Sequence, residues 1–219
     1  IRAGQFDLVH RITPLSPVQQ SPIAAKCRRA GVPFVLGPLN GGVPWPKGFE
    51  AEMKQENEWL SRLRGLSRLL PGRRNTLRAD AILAGSRQMI RDIPARNRDR
   101  VIYLPENAVD PARFWRSADH GPALAGGPLR ACFIGRLVPL KGVDMLIAAA
   151  EPLLEAGRME LDIIGDGPVL PALKEQARHL GGAVRFHGWK KHEEVQDLAA
   201  KCTVLAFPSI REFGGGVVL

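Results

Sequence analysis

Short apolar runs that stop at a glycine, each followed by a helical pattern, recur along this chain. The clearest is Leu129-Arg-Ala-Cys-Phe-Ile-Gly-Arg-Leu-Val-Pro-Leu-Lys-Gly-Val-Asp144, where an apolar run breaks at Gly135 and a helical pattern begins at Val143. A buried parallel strand that feeds a loop and then a helix has this signature. The rhythm predicts strands over 6–10, 32–36, 81–84, 101–104, 129–134, 161–164, 183–186 and 203–207. It predicts helices over 21–30, 49–70 and 87–93, and after Val143, Pro168 and Trp189. Pro22 suits the first turn of the first helix. Met53, Trp59, Leu60, Leu63 and Leu66 recur near the helical period within 49–70. The fold class is therefore α/β.

The strand-to-loop junctions carry the candidate chemistry. After the run at 129–134 come Gly135, Arg136 and Lys141, and after 161–164 comes Gly165-Asp-Gly-Pro168. His187-Gly-Trp189 follows the next strand, and Pro208-Ser-Ile-Arg-Glu-Phe-Gly-Gly-Gly216 follows the last. If the strands are parallel, these loops share one edge, the place where open α/β sheets bind ligands. Arginine and lysine there suit a phosphate. Gly214, Gly215 and Gly216 precede an expected helix start, where bare N–H groups can hold phosphate or sugar oxygens. Asp166 is expected to cap the helix starting near Pro168. In the first half, Gly37-Pro-Leu-Asn-Gly-Gly42 reads as a tight turn or as a loop whose Gly41 and Gly42 approach a ligand.

From Pro105 to Pro128 proline and glycine dominate, and 118–128 is the best linker candidate. The boundary falls there, giving 1–127 and 128–219 as two domains.

Charge adds one feature. The formal net charge is +9, with arginines densest from Arg62 to Arg100. Such a surface is a solvated basic face or a docking site for anionic lipid. No nucleic-acid module is recognisable, and the arginines are not interleaved with stacking aromatics, so nucleic acid is not expected as a partner. Cys27, Cys132 and Cys202 are odd in number and in no metal-ligand spacing, which reads as reduced core thiols in a cytoplasmic protein. No apolar run approaches the length of a membrane span. The chain opens at Ile1 rather than Met, so nothing follows about a targeting segment.

Gly135-Arg136 with Lys141-Gly142, then Ile164-Gly-Asp-Gly-Pro168, then Glu212-Phe-Gly-Gly-Gly-Val-Val-Leu219 resemble the donor-binding half of retaining family 4 glycosyltransferases. Val101-Ile-Tyr-Leu-Pro-Glu-Asn-Ala-Val-Asp-Pro-Ala-Arg-Phe114 resembles that family's interdomain segment more loosely. The resemblance implies a GT-B fold of two Rossmann-like domains, both incomplete here: the late part of the acceptor domain over 1–127 and the early part of the donor domain over 128–219. It implies transfer of a hexose from a nucleoside-diphosphate sugar to a saccharide or lipid-linked acceptor, without a metal. No Asp-x-Asp metal motif occurs, and no Gly-x-Gly-x-x-Gly of a nicotinamide enzyme.

By resemblance, Arg136 and Lys141 neutralise the donor diphosphate as charge develops on it. Glu212, the first carboxylate of a Glu-x7-Glu pattern, orients the donor sugar. The pattern's second glutamate would follow Leu219, so the chain is expected to be a piece cut at both ends and inactive alone. Gly135, Gly165, Gly167, Gly188, Phe213 and Gly214 to Gly216 would line the donor, with Trp189 stacking on the base or lying in the core. His10 stands where the family has Val-His-x-His, but Val9-His10-Arg11-Ile12 lacks the second histidine, so His10 faces the acceptor or is structural. A non-catalytic nucleotide- or membrane-binding module of the same fold is the alternative.

Overall fold

The structure is a computed structural model that describes residues 4, 6–15, 21–41, 43–56, 77–110, 127–212 and 214–218. These fall into two compact units. Residues 4–44, 77–108 and 212–216 form the first, and 45–56, 109–110, 127–211 and 217–218 the second. Part of the expected helix over 49–70, the part of the basic run over 62–76, the linker core, Gly42, Phe213 and Leu219 lie outside the described residues.

The first unit holds a parallel sheet of β1 (Val9–Arg11), β2 (Phe34–Leu39), β3 (Ala81–Ala84) and β4 (Val101–Tyr103), in the order β1-β2-β3-β4. Helix α1 (Pro22–Ala30) carries Pro22 in its first turn and stops at Gly31 in the left-handed region, φ 67°. Helix α3 (Arg87–Asp92) is capped by Ser86, whose hydroxyl accepts from the Met89 N–H. Phe34, Leu36, Ile82, Ala84, Cys27 and Met89 are buried together. Gly37 is obligatory in β2. Its φ is 120°, and a Cβ there would run into the Leu83 carbonyl of the neighbouring strand.

The second unit holds β5 (Leu129–Ile134), β6 (Met159–Ile164), β7 (Val184–Gly188) and β8 (Val204–Leu205), again parallel, but in the order β7-β6-β5-β8. The strand order reverses after β7, and β8 returns to the far side of β5. One face is apolar: Ala131, Phe133, Leu161, Ile163 and Val184 pack on Val143, Ile147, Ala150 and Leu154 of α4 (Val143–Glu155) and on Leu173 of α5 (Leu170–Gln176). The helical spacing of those four residues builds a single stripe. Burying a side chain such as Phe133 contributes about 1.5–3 kcal/mol. Helix α6 (His192–Ala199) leads to β8, and α2 (Glu50–Gln55) belongs to this unit although it precedes β3 in sequence.

The opposite face is polar. Register aligns Cys132 with Asp162 and Asp162 with Arg185 across three strands. The Asp162 side chain is 4% exposed and accepts from Arg185 Nε at 2.9 Å and Nη2 at 3.2 Å, and from His187 Nε2 at 2.7 Å. Burial pushes its carboxyl up, but the hydrogen bonds from Arg185 and His187 outweigh that and hold it at about 2. Arg185 is raised in turn, chiefly by its bond to Asp162 and then by Glu160. The three cysteines are free thiols. Cys27 and Cys132 are buried as expected, whereas Cys202 is half-buried, with Sγ 3.8 Å from Asp162 Oδ2.

The strands over 81–84 and 129–134 match the sequence reading residue for residue. The last run is shorter than expected, because only Val204 and Leu205 pair with β5 before the backbone turns away. In place of a helix, Gly216–Val218 forms a 3-10 turn.

Candidate active site at the strand-order reversal

An open parallel sheet leaves a crevice at its carboxyl edge wherever its strand order reverses, since the flanking loops diverge there. In the second unit that point lies between β5 and β8. The loops entering it are 135–142 and 206–211, and backbone hydrogen bonds lace them to their neighbours.

The Gly135 N–H donates to Ile164 O at 3.0 Å, and the Leu137 N–H to Asp166 O at 2.9 Å. The Gly165 N–H donates to Gly188 O at 2.9 Å, and the Ile210 N–H to Leu140 O at 2.9 Å. The loops after β5, β6, β7 and β8 therefore converge on one edge. Leu137 is fully buried and anchors the first of them. Arg136, held between Gly135 and Leu137, is exposed, and nothing among the described residues pairs with its guanidinium. Lys141 ends the 3-10 turn Pro139–Lys141, with Nζ 5.4 Å from the centre of the Phe207 ring. Gly142 follows at φ 63° and is closed in by Pro208, whose carbonyl a Cβ would meet at 2.7 Å. Two cations on a loop with a fixed backbone can hold a diphosphate without reorganising.

Residues 128–219 match the glycosyl transferases group 1 family. A glycogen synthase of Thioalkalivibrio sulfidiphilus is 46% identical over 59 residues, 27% of this chain and 12% of that protein. An alpha-D-kanosaminyltransferase of Streptomyces kanamyceticus is 34% identical over 90 residues, 40% of this chain and 23% of that protein. The crystal structure of Anabaena HepE in complex with UDP superposes with a TM-score of 0.62 at 18% identity, over 94% of this chain and 54% of that one. The chain thus spans about half of that solved structure, and the matched stretches are smaller shares of the curated relatives. The fold is α/β with parallel sheets, as in GT-B glycosyltransferases.

Within the group 1 match, the structure brings Gly135, Arg136, Lys141, Gly165, Gly167 and Gly188 to one edge of the second sheet. It also gives two of these glycines a reason that sequence reasoning missed. A Cβ on Gly165 would run into the Gly135 carbonyl, and one on Gly167 into Leu137 O. Their openness is used by the neighbouring loop. Gly188, at φ 68°, faces open space. Trp189 is 72% exposed, so it is not a core residue. Asp166 does not cap a helix. Its Oδ1 accepts from the Gly167 N–H at 2.7 Å, while α5 starts three residues later behind Val169, which makes no side-chain cap.

Glu212 and Gly214 to Gly216 group with the first unit. There Asn107 Nδ2 donates to Gly214 O at 2.6 Å, and a Cβ on Gly216 would meet Asn107 Oδ1 at 3.3 Å. His10 lies in β1 opposite Val35, and its Nε2–H donates to Gly37 O at 2.7 Å. Asn40 Oδ1 accepts from the Gly41 N–H, and its Nδ2 donates to Glu106 Oε2 at 2.7 Å. These bonds order the 37–41 loop from within the first unit.

Arg211, absent from the sequence reading, is 4% exposed and stacks on Trp45 with its guanidinium carbon 4.6 Å from the ring centre. The basic run is partly committed to structure. Arg98 donates to Ile93 O and Arg91 O, and Arg100 to Ala79 O.

Proposed function

We propose that the protein is a retaining glycosyltransferase that moves a hexose from a nucleoside-diphosphate sugar to a saccharide or lipid-linked acceptor. One observation carries the reading: the Gly135–Gly142 loop, with its two cations, follows β5 at the point where the second sheet reverses its strand order. The match of 128–219 to group 1 glycosyl transferases supports the same chemistry.

Cleavage of the sugar–phosphate bond builds negative charge on the leaving nucleoside diphosphate. Arg136 and Lys141 stabilise that charge and act without a metal, more strongly as the bond breaks than before. Glu212 orients the donor sugar, and the Gly214–Gly216 backbone holds it. Trp189 offers a ring face to the nucleobase at the Gly188 loop. The UDP bound by HepE makes UDP the first nucleotide to test. The acceptor lies against the first unit, near His10 and the 37–42 loop. The remaining arginines of 62–100 hold the protein against the inner face of an anionic membrane, in keeping with polysaccharide assembly in the cytoplasm. No helix among the described residues is long and apolar enough to cross a membrane.

The test is calorimetric titration with UDP, GDP and ADP, followed by sugar release from the matching nucleotide sugar. Binding of one nucleotide that Arg136→Ala weakens at least tenfold is the expected result. Indifference of all three to Arg136→Ala rejects the site.

A further inference from the structure

The segment 45–56 precedes β3 in the chain yet packs in the second unit, and it touches both loops that flank the strand-order reversal. Glu56, at the C-terminal cap of α2, lies 84 residues from Leu140 in sequence. Its Oε1 accepts the Leu140 N–H at 3.1 Å. Leu140 sits in the middle of the Pro139–Lys141 turn, against which α2 packs. Its carbonyl accepts the Ile210 N–H, so this one residue is held on both sides, by the 45–56 segment and by the loop after β8. At the other end of the segment, Trp45 stacks on buried Arg211 of that same loop.

We infer that Glu56 is a positioning residue for nucleotide-sugar binding, a cap supplied from the first half of the chain that fixes the turn presenting Lys141; this rests on the function proposed above. A short 3-10 turn has poor hydrogen-bond geometry and leaves the N–H groups of its first residues unsatisfied. Pro139 has no N–H, which makes Leu140 the first donor of this turn. A carboxylate is the strongest available acceptor for it. A carboxylate beside a loop that receives a diphosphate also repels the ligand, so its charge weakens binding while the bond it makes orders the loop. Substitution separates these two effects. Glutamine keeps an oxygen acceptor and drops the charge, and alanine drops both.

The experiment measures amide hydrogen exchange at 139–142, nucleotide affinity by calorimetry with UDP, GDP and ADP, and kcat against KM for the nucleotide sugar. Glu56→Ala is expected to speed exchange at 139–142 about tenfold, to weaken nucleotide binding about five- to tenfold and to lower kcat, with exchange in β2 and β3 unchanged. Glu56→Gln is expected to stay within about twofold of the parent in exchange and to bind nucleotide at least as well. Should the alanine variant fold poorly, Glu56→Asp, one methylene shorter, takes its place under the same expectations. Unchanged exchange at 139–142 in the alanine variant overturns the inference. So does a glutamine variant as impaired as alanine, since charge and not position would then be at work. Nucleotide binding indifferent to Arg136→Ala rejects the proposed function instead, and the exchange rates still decide whether Glu56 orders the turn.

Discussion

The two sheets are built alike and differ where it matters for chemistry. Each has four parallel strands among the described residues, and each buries one apolar layer. The first runs β1-β2-β3-β4 in chain order, so successive loops follow one another along its edge. The second doubles back from β7 to β8, which lies on the far side of β5 and puts the loops 135–142 and 206–211 side by side. Arg136 and Lys141 stand on the loop of that strand. On the first sheet, hydrogen bonds of its own join His10 in β1 to Gly37 in β2, and Asn40 after β2 to Glu106 after β4. A parallel sheet is thus not by itself a binding site. The second sheet differs in its reversal, with a cation beside it that pairs with nothing among the described residues, and this is the feature on which the proposed site rests.

The largest expected effect tests that contrast. Arg136→Ala should lower kcat for sugar transfer by roughly 10²–10³-fold, the scale seen when a donor to developing negative charge is removed. Nucleotide affinity should fall less, because the charge is smaller before the bond breaks. Gly41→Ala on the first sheet should leave nucleotide affinity within about twofold. Equal loss from both substitutions, in turnover and calorimetry, would erase the distinction between the sheets.

The polar face of the second sheet gives the next effect. Asp162→Asn removes the carboxylate shared by Arg185 and His187, and should destabilise the second unit by about 3 kcal/mol. Exchange should accelerate in β5, β6 and β7 and not in β2 or β3. Protonation does the same reversibly. The folded-state pKa of Asp162 is depressed to about 2 from an ordinary 3.8. Its contribution is therefore fully present above about pH 4 and is lost as pH falls towards 2, in all about 2 kcal/mol. A urea midpoint for the second unit that is flat between pH 4.5 and 2.5, or one that Asp162→Asn leaves equally steep, contradicts this assignment.

Much of this was legible in the letters. The runs at 129–134 and 161–164 end at glycine and are followed by helical patterns, so strand, loop and helix follow from local pattern, although the second strand begins earlier, at Met159. The placement of Arg136 and Lys141 on the loop after β5 could be read too, because the apolar run before them stops at Gly135. The roles of Gly165 and Gly167 could not, since the atoms that need their missing Cβ belong to a different loop. Nor could Glu56 and Trp45, whose partners lie far along the chain and share no periodicity with them. Asp162 and Arg185 read only as interruptions in apolar strands until register placed them side by side.

The smallest effect concerns exposed aromatics, one on each sheet. Trp189 follows β7 at the loop edge of the second sheet and is 72% exposed. Tyr103 ends β4 of the first and is 47% exposed, with Arg87 over its ring at 5.7 Å. Exposure of so large an apolar ring loses the area term that burial would supply, so stability does not explain Trp189. A face-on contact with a flat base recovers part of that term, on the order of 1 kcal/mol for a stacked aromatic pair. Trp189→Ala should therefore weaken nucleotide binding about fivefold while leaving the thermal midpoint unchanged, because nothing packed is removed. A ring stacks on any base, so the loss should be similar for each nucleotide that binds. Tyr103→Ala, on the sheet without a strand-order reversal, should leave nucleotide affinity unchanged. Calorimetric titration of both variants measures the difference directly. If Trp189→Ala lowers the melting temperature without touching affinity, the ring supports the fold and the base must be held by the backbone of the Gly188 loop alone.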